Sequence, residues 1–191
     1  MTTRRQLILA ETNGDIAALQ AAHHDDDDPH NRALALGSLD RLGALTDAIL
    51  TAALGDEDRT VRIRAIELAF DRTHLDLLFG LADDDDLVVE TTAWALGERE
   101  IPTNETISAL VKTATDHDVS ICREAAIAAL GALGHEDGLP AILAGLKDRA
   151  PVRRRAVLAL APFDTPEVET ALQEALNDRD RQVRQAAEDL L

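Results

Sequence analysis

Asp118-Val119-Ser120-Ile121-Cys122-Arg123-Glu124-Ala125-Ala126-Ile127-Ala128-Ala129-Leu130-Gly131 returns further on as Asp148-Arg149-Ala150-Pro151-Val152-Arg153-Arg154-Arg155-Ala156-Val157-Leu158-Ala159-Leu160-Ala161. The shared phrase is an aspartate, an apolar residue followed by arginine, then alanine and leucine at helical spacing. Sliding it back finds Val61-Arg62-x-x-Ala65-x-x-x-Ala69 and Asn31-Arg32-x-x-Ala35-x-x-x-Leu39, and sliding it forward finds Val183-Arg184-x-x-Ala187-x-x-x-Leu191. Val88-Val89-x-x-Thr92-x-x-x-Leu96-Gly97 is a further copy in which valine has replaced the arginine. The anchors at 32, 62, 89, 123, 153 and 184 step by 30, 27, 34, 30 and 31 residues. A near-constant period of this size is the signature of a stacked repeat protein, with length drift confined to the connections.

Each period holds two apolar-periodic runs. After the arginine helix, turn and cap residues intervene at Gly43, Asp71-Arg72-Thr73, Pro102-Thr103-Asn104, Gly134 to Gly138 and Asp164-Thr165-Pro166. Second runs then follow at Leu45 to Leu54, Leu75 to Leu81, Ile107 to Val111, Leu139 to Leu146 and Val168 to Leu176. No useful stretch alternates with period two, so the expected fold class is all-α. The expected architecture is a right-handed α-solenoid, a superhelix of about six stacked helix pairs. Acidic turns at Asp25 to Asp28, Asp56 to Asp58, Asp83 to Asp86, Asp116 to Asp118 and Asn177 to Asp180 precede the arginine helices, where an aspartate can cap exposed amides.

The Asp-x-x-x-Val-Arg-x-x-Ala-x-x-x-Leu-Gly phrase resembles the short HEAT-like repeats of phycobilisome lyase subunits, over roughly residues 23–191. The resemblance implies one repeat domain over 1–191: a degenerate capping helix pair in 1–22, repeats in 23–181 and a lone last helix in 182–191. It also implies that Arg153 and Arg184 bridge to acidic turns of adjacent repeats. Function does not follow, because such scaffolds serve binding modules, lyase subunits, hydroxylases and DNA glycosylases alike.

Composition narrows the classes. The net charge is −17, and only two of the nineteen basic residues are lysine. An acidic, lysine-poor surface resembles that of proteins from salt-loving archaea, and implies a compact state that weakens as salt is removed. Without a run of about eighteen apolar residues or a hydrophobic leader after Arg4 and Arg5, a cytoplasmic protein with no membrane partner is expected. Cys122 occupies a valine position, which reads as a buried, inert thiol. Residues 145–191 carry 8 basic and 9 acidic side chains, against 11 and 27 in residues 1–144, so a basic ridge relieves the acidic field at that end. With one tryptophan, three phenylalanines and no tyrosine, the chain lacks the stacking platforms of a single-strand binder. Charge and composition together argue against nucleic acid as a partner.

No catalytic constellation stands out. His23-His24 before Asp25 to Asp28, and His117 between Asp116 and Asp118, offer metal-ligand types, but the acidic runs read better as solvated helix entries than as sites. His135-Glu136 is the sole His-Glu pair and falls between helices, so the paired di-iron motif of HEAT-like deoxyhypusine hydroxylases is not matched. No catalytic, metal or cofactor residue is nominated, and no cofactor is expected. The expected function is a non-enzymatic scaffold for a protein or peptide. The resemblance implies a concave surface of second helices, with Thr46, Asp47, His74, Asp76, Ser108, Lys112, Glu169, Gln173 and Glu174 exposed on it. Further candidates are Trp94 in the aberrant repeat, packed near Phe79, and Arg154 and Arg155 on the ridge. Val183 and Leu190 on the last helix form an apolar stripe suited to self-association. Two alternatives stand beside the scaffold: a lyase or accessory subunit acting on a tetrapyrrole, and a nucleic-acid-binding repeat protein.

Overall fold

The structure, a computed structural model, describes residues 2–191. Among these the chain is all-helical, with twelve α-helices, two short 3-10 helices and no strand. It divides into two compact units, the first ending at Asp76 and the second spanning Leu77–Leu191.

The first unit contains α1 (Arg4–Asn13), α2 (Ile16–Asp25), α3 (Pro29–Arg41), α4 (Asp47–Leu54) and α5 (Arg59–Ala69). The opening helices pack on each other and on α3, α3 packs on α5, and α4 packs on α5. Leu7 and Leu19 anchor α1 and α2 in the core, while Ile8, Leu9 and Ile16 stay about half exposed on the outer side.

The second unit contains α6 (Asp86–Gly97), α7 (Asn104–Asp116), α8 (Ser120–Leu133), α9 (Leu139–Gly145), α10 (Ala150–Ala159), α11 (Pro166–Ala175) and α12 (Arg181–Glu188). Its first helices stack in sequence, α6 on α8, α8 on α10 and α10 on α12; α7 packs on α8 and α9, α9 on α10, and α11 on α12.

The recurring alanine explains that stacking. Ala35, Ala65, Ala126, Ala156 and Ala187 are all fully buried, and Ala129 and Ala159 sit where one first helix meets the next. The glycine closing the phrase takes the approach further. A Cβ placed on Gly97 would lie 2.8 Å from the Cα of Ala129, and one on Gly131 would lie 2.7 Å from the Cα of Ala159. The same contact recurs one repeat later, so the small residues set the spacing between layers.

One expected helix is absent. The run from Leu75 to Leu81 does not become an α-helix: after Phe70 the chain turns through Asp71 to Leu77 and makes a single 3-10 helix, Leu78–Ala82. Gly80 lies in its middle against Thr92, where any Cβ would collide with the threonine side chain. Five residues with a glycine at their centre cannot propagate a helix that must first meet the cost of nucleation.

Threonine or aspartate caps the second helices: Asp15 on α2, Thr46 on α4, Thr103 on α7 and Thr165 on α11 each accept a bond from a first-turn amide. No helix among the described residues is long and apolar enough to cross a membrane.

Candidate functional site

The recurring arginines are structural. Arg32 donates from Nε and Nη2 to the two carboxylate oxygens of Asp56 at 3.0 and 2.7 Å. Arg123 does the same to Asp148 at 2.6 and 2.9 Å, and Arg153 to Asp178 at 2.8 and 2.8 Å. Each pair joins one first helix to the acidic turn that opens the next. The remaining nitrogen, Nη1, reaches back to a carbonyl of the arginine's own turn: Asp26 for Arg32, Asp56 for Arg62, His117 for Arg123, Asp148 for Arg153 and Asp178 for Arg184. Arg153 thus bridges adjacent repeats as expected. Among the described residues, Arg184 holds its own turn, through the Asp178 carbonyl.

Within a turn the aspartates divide the labour. The first bends the loop, so that Asp26, Asp56, Asp83 and Asp178 accept the amides of Asp28, Asp58, Asp85 and Asp180. The second caps the helix, as Asp28, Asp58, Asp85 and Asp180 accept from His30, Thr60, Leu87 and Gln182. The turn before α8 departs from the expected aspartate cap. There a ring nitrogen does the bending, His117 Nδ1 accepting the Val119 amide at 3.2 Å, and α8 has no side-chain cap. At the other end Asp26 receives the Thr2 amide at 2.8 Å and Asn31 Nδ2 at 3.3 Å in place of a guanidinium. The amides of Asp28 and Thr2 hold its carboxyl down at about 2, well below the usual 3.8.

The surface candidates fall into distinct settings. Asp47, in the first turn of α4, accepts from Arg72 Nη1 and lies against His74 Nε2, both at 2.7 Å, and these two contacts lower its pKa. Arg72 also donates to the Leu45 carbonyl. Asp47 and His74 therefore pin the irregular segment after α5 to α4, a role no spacing rule revealed. Asp76 is exposed nearby in sequence. Trp94 and Phe79 are 44% and 49% exposed, so neither is a core residue.

Lys112 on α7 and Gln173 on α11 are exposed, together with Ser108, Glu169 and Glu174. Between α9 and α11 lies a groove of about 470 Å³. Leu143, Leu146, Ala171 and Ala175 line it with apolar surface, Glu167, Thr170 and Glu174 line its α11 side, and Lys147 and Val183 border it. Of the residues singled out from sequence, this groove gathers only Glu174 and Val183.

Part of the basic ridge is engaged inside the chain: Arg153 is buried on Asp178 and Arg155 meets Glu124 at 3.5 Å, while Arg149, Arg154, Arg179 and Arg181 are exposed. The last helix also differs from expectation. Val183, Ala186 and Ala187 are buried on α12, which packs on α10 and α11, and Leu190 is half-buried. Its apolar stripe faces the preceding pair.

His23 and His24 do not gather with the aspartates that follow into one site. His24 pairs with Asp25 alone, at 2.6 Å in solvent, whereas the buried Nδ1 of His23 has no hydrogen-bond partner among the described residues. Burial pushes the Cys122 thiol up to about 11, with Asp86 adding to the effect.

The family model for HEAT repeats matches residues 47–131, 74–161 and 122–191. No protein of curated function matches the chain in sequence. Solved structures with a similar fold include a designed armadillo repeat protein in complex with the peptide (KR)4, at 17% identity and a TM-score of 0.64, covering 91% of this chain and 96% of that one. An engineered protein is similar at 19% identity and a TM-score of 0.59, covering 93% and 95%. A computationally designed armadillo repeat protein for modular peptide recognition is similar at 18% identity and 0.55, covering 97% and 92%.

Proposed function

The chain belongs to the HEAT-repeat family, and on that premise we propose that it is a non-enzymatic scaffold that binds a basic, extended peptide segment of a protein partner on the surface of its second helices. The observation that carries this reading is the groove between α9 and α11, with an apolar lining and the carboxylates of Glu167 and Glu174 along one helix. An apolar trough can bury alternate side chains of an extended segment, and carboxylates beside it favour lysine and arginine over acidic sequences. The net charge of −17 draws such a partner in from a distance.

Repeat proteins of similar fold are described as bound to (KR)4 or designed for peptide recognition, which supports the same mode here. The nucleic-acid alternative is not preferred, because a net charge of −17 repels a polyanion.

The test uses the full chain and a fluorescent (KR)4 peptide followed by anisotropy. Saturable binding is expected, weakening as salt rises and falling about tenfold or more when Glu167 and Glu174 are both replaced by lysine. Equal affinity for (KR)4 and an uncharged peptide of the same length, or no effect of the double substitution, would refute the proposal.

A further inference from the structure

The ladder of arginines is interrupted once, and both halves of the rung change together. Position 89 is valine where the phrase calls for arginine. The turn that should receive it carries His117 in the place of aspartate. The register is fixed by the hydrogen bonds: Arg32, Arg62, Arg123 and Arg184 each donate to a carbonyl six residues back, on Asp26, Asp56, His117 and Asp178. His117 also repeats the loop-bending contact of those aspartates through its ring nitrogen.

A third exception lies beside it. The position before the arginine, or before Val89, is Val61, Val88, Val152 or Val183 in four other repeats, Asn31 in the first, and Cys122 here. These exceptions converge. One ligand atom each from Asp86, His117 and Cys122 lies within 4.8 Å of the others, and no other group of three such residues does so among the described residues. Cys122 Sγ is 3.5 Å from the Asp86 carbonyl and 3.8 Å from its Oδ1, so the three atoms come from the first turn of α6, the turn before α8 and the first turn of α8. Glu90, one helical turn beyond Asp86, adds negative charge near the thiol.

Where the other rungs set a guanidinium against carboxylate, this one sets sulfur, imidazole and carboxylate together. Thiolate and imidazole suit borderline-soft divalent ions, and one carboxylate completes a three-ligand set that leaves a fourth position for water. We infer that Asp86, His117 and Cys122 form a mononuclear site for a zinc-type divalent cation, which ties α6 to α8 in place of the missing arginine. Binding forms a metal–sulfur bond and releases the Cys122 proton to solvent. His117 gives up its 3.2 Å contact with the Val119 amide to offer its lone pair. The ion thus clasps one repeat to the next.

Cobalt(II) tests the site, because thiolate ligation gives an absorption band that an oxygen and nitrogen site lacks, and the chain has one cysteine. Titration of the full chain should give a sulfur-to-metal charge-transfer band that saturates at one ion per chain and is bleached by zinc. Cys122→Val installs the residue of the sister repeats and so retains the fold; it should abolish the band and the rise in melting temperature that zinc gives the parent. His117→Asn keeps an acceptor for the turn and should weaken binding about tenfold or more. His24→Ala should change nothing. An absent band, a zinc-induced shift equal in parent and Cys122→Val, or a shift lost only in His24→Ala would each overturn the inference.

Discussion

Arg153 and Asp178 meet in a two-pronged pair across successive repeats, Nε and Nη2 each donating to a separate carboxylate oxygen at 2.8 Å, with both side chains nearly closed off from solvent. Arg153 Nη1 is also occupied, by the Asp148 carbonyl. Removing either partner leaves a charge with no water to replace what it lost, whereas removing both does not.

Arg153→Ala should therefore destabilise the protein by about 3 kcal/mol in urea melts, and Asp178→Ala by a similar amount. Replacing both with leucine should recover most of the loss. Additive losses in the double variant would show that the pair is not coupled.

Gly131→Ala should cost about 1–3 kcal/mol, since the new methyl would fall 2.6 Å from the Ala159 Cβ and 2.7 Å from its Cα. Gly55 offers the comparison: a Cβ there meets nothing nearer than the Ala52 carbonyl at 3.7 Å, so Gly55→Ala should be nearly neutral. Thermal melts of the two variants side by side would decide whether close approach, rather than loss of glycine, is what matters.

Acid should weaken the first unit through two carboxylates. Hydrogen bonds from Arg41 and Ser38 lower Glu11 from 4.5 to about 2, and the amides of Asp28 and Thr2 lower Asp26 from 3.8 to about 2. A group whose folded value is depressed contributes its stability fully above its unfolded value and loses it as pH falls through the folded one. Stability should thus decline from about pH 5 toward pH 2. Asp26→Asn and Glu11→Gln should start lower at pH 7 and fall less steeply. A decline in the variants as steep as in the parent would place the acid sensitivity elsewhere.

The repeat was legible because its residues answer to one local demand each. Arginine, alanine and glycine recur at fixed offsets, and the structure gives the reasons: Ala126 is buried and Gly131 lies against Ala159. Four features were not legible, each for a physical reason. The run from Leu75 to Leu81 has helical composition, but Gly80 against Thr92 and the turns before it reduce the element to one short 3-10 helix. The stripe of Val183 and Leu190 is apolar whether it faces a partner or its own chain, and only tertiary packing buries Val183 on the preceding layer. Asp47, His74 and Arg72 are brought together from separate segments, and nothing in their spacing announces it. The groove between α9 and α11 escaped notice because Leu143 and Leu146 read as ordinary core positions.

The Asp-Arg pair that opens two successive turns, Asp148-Arg149 and Asp178-Arg179, has a consequence for the protein's history. If the segment 149–178 were excised and Asp148 joined to Arg179, Asp148 would still receive Arg123, Arg184 would still count back six residues to an aspartate carbonyl, and Arg153 would leave together with its own counter-ion. Every two-pronged arginine–aspartate rung survives the splice or leaves whole. Such a chain can lengthen or shorten by whole modules while its electrostatic grammar stays intact, so gain and loss of repeats are changes that selection can sample without first breaking the fold.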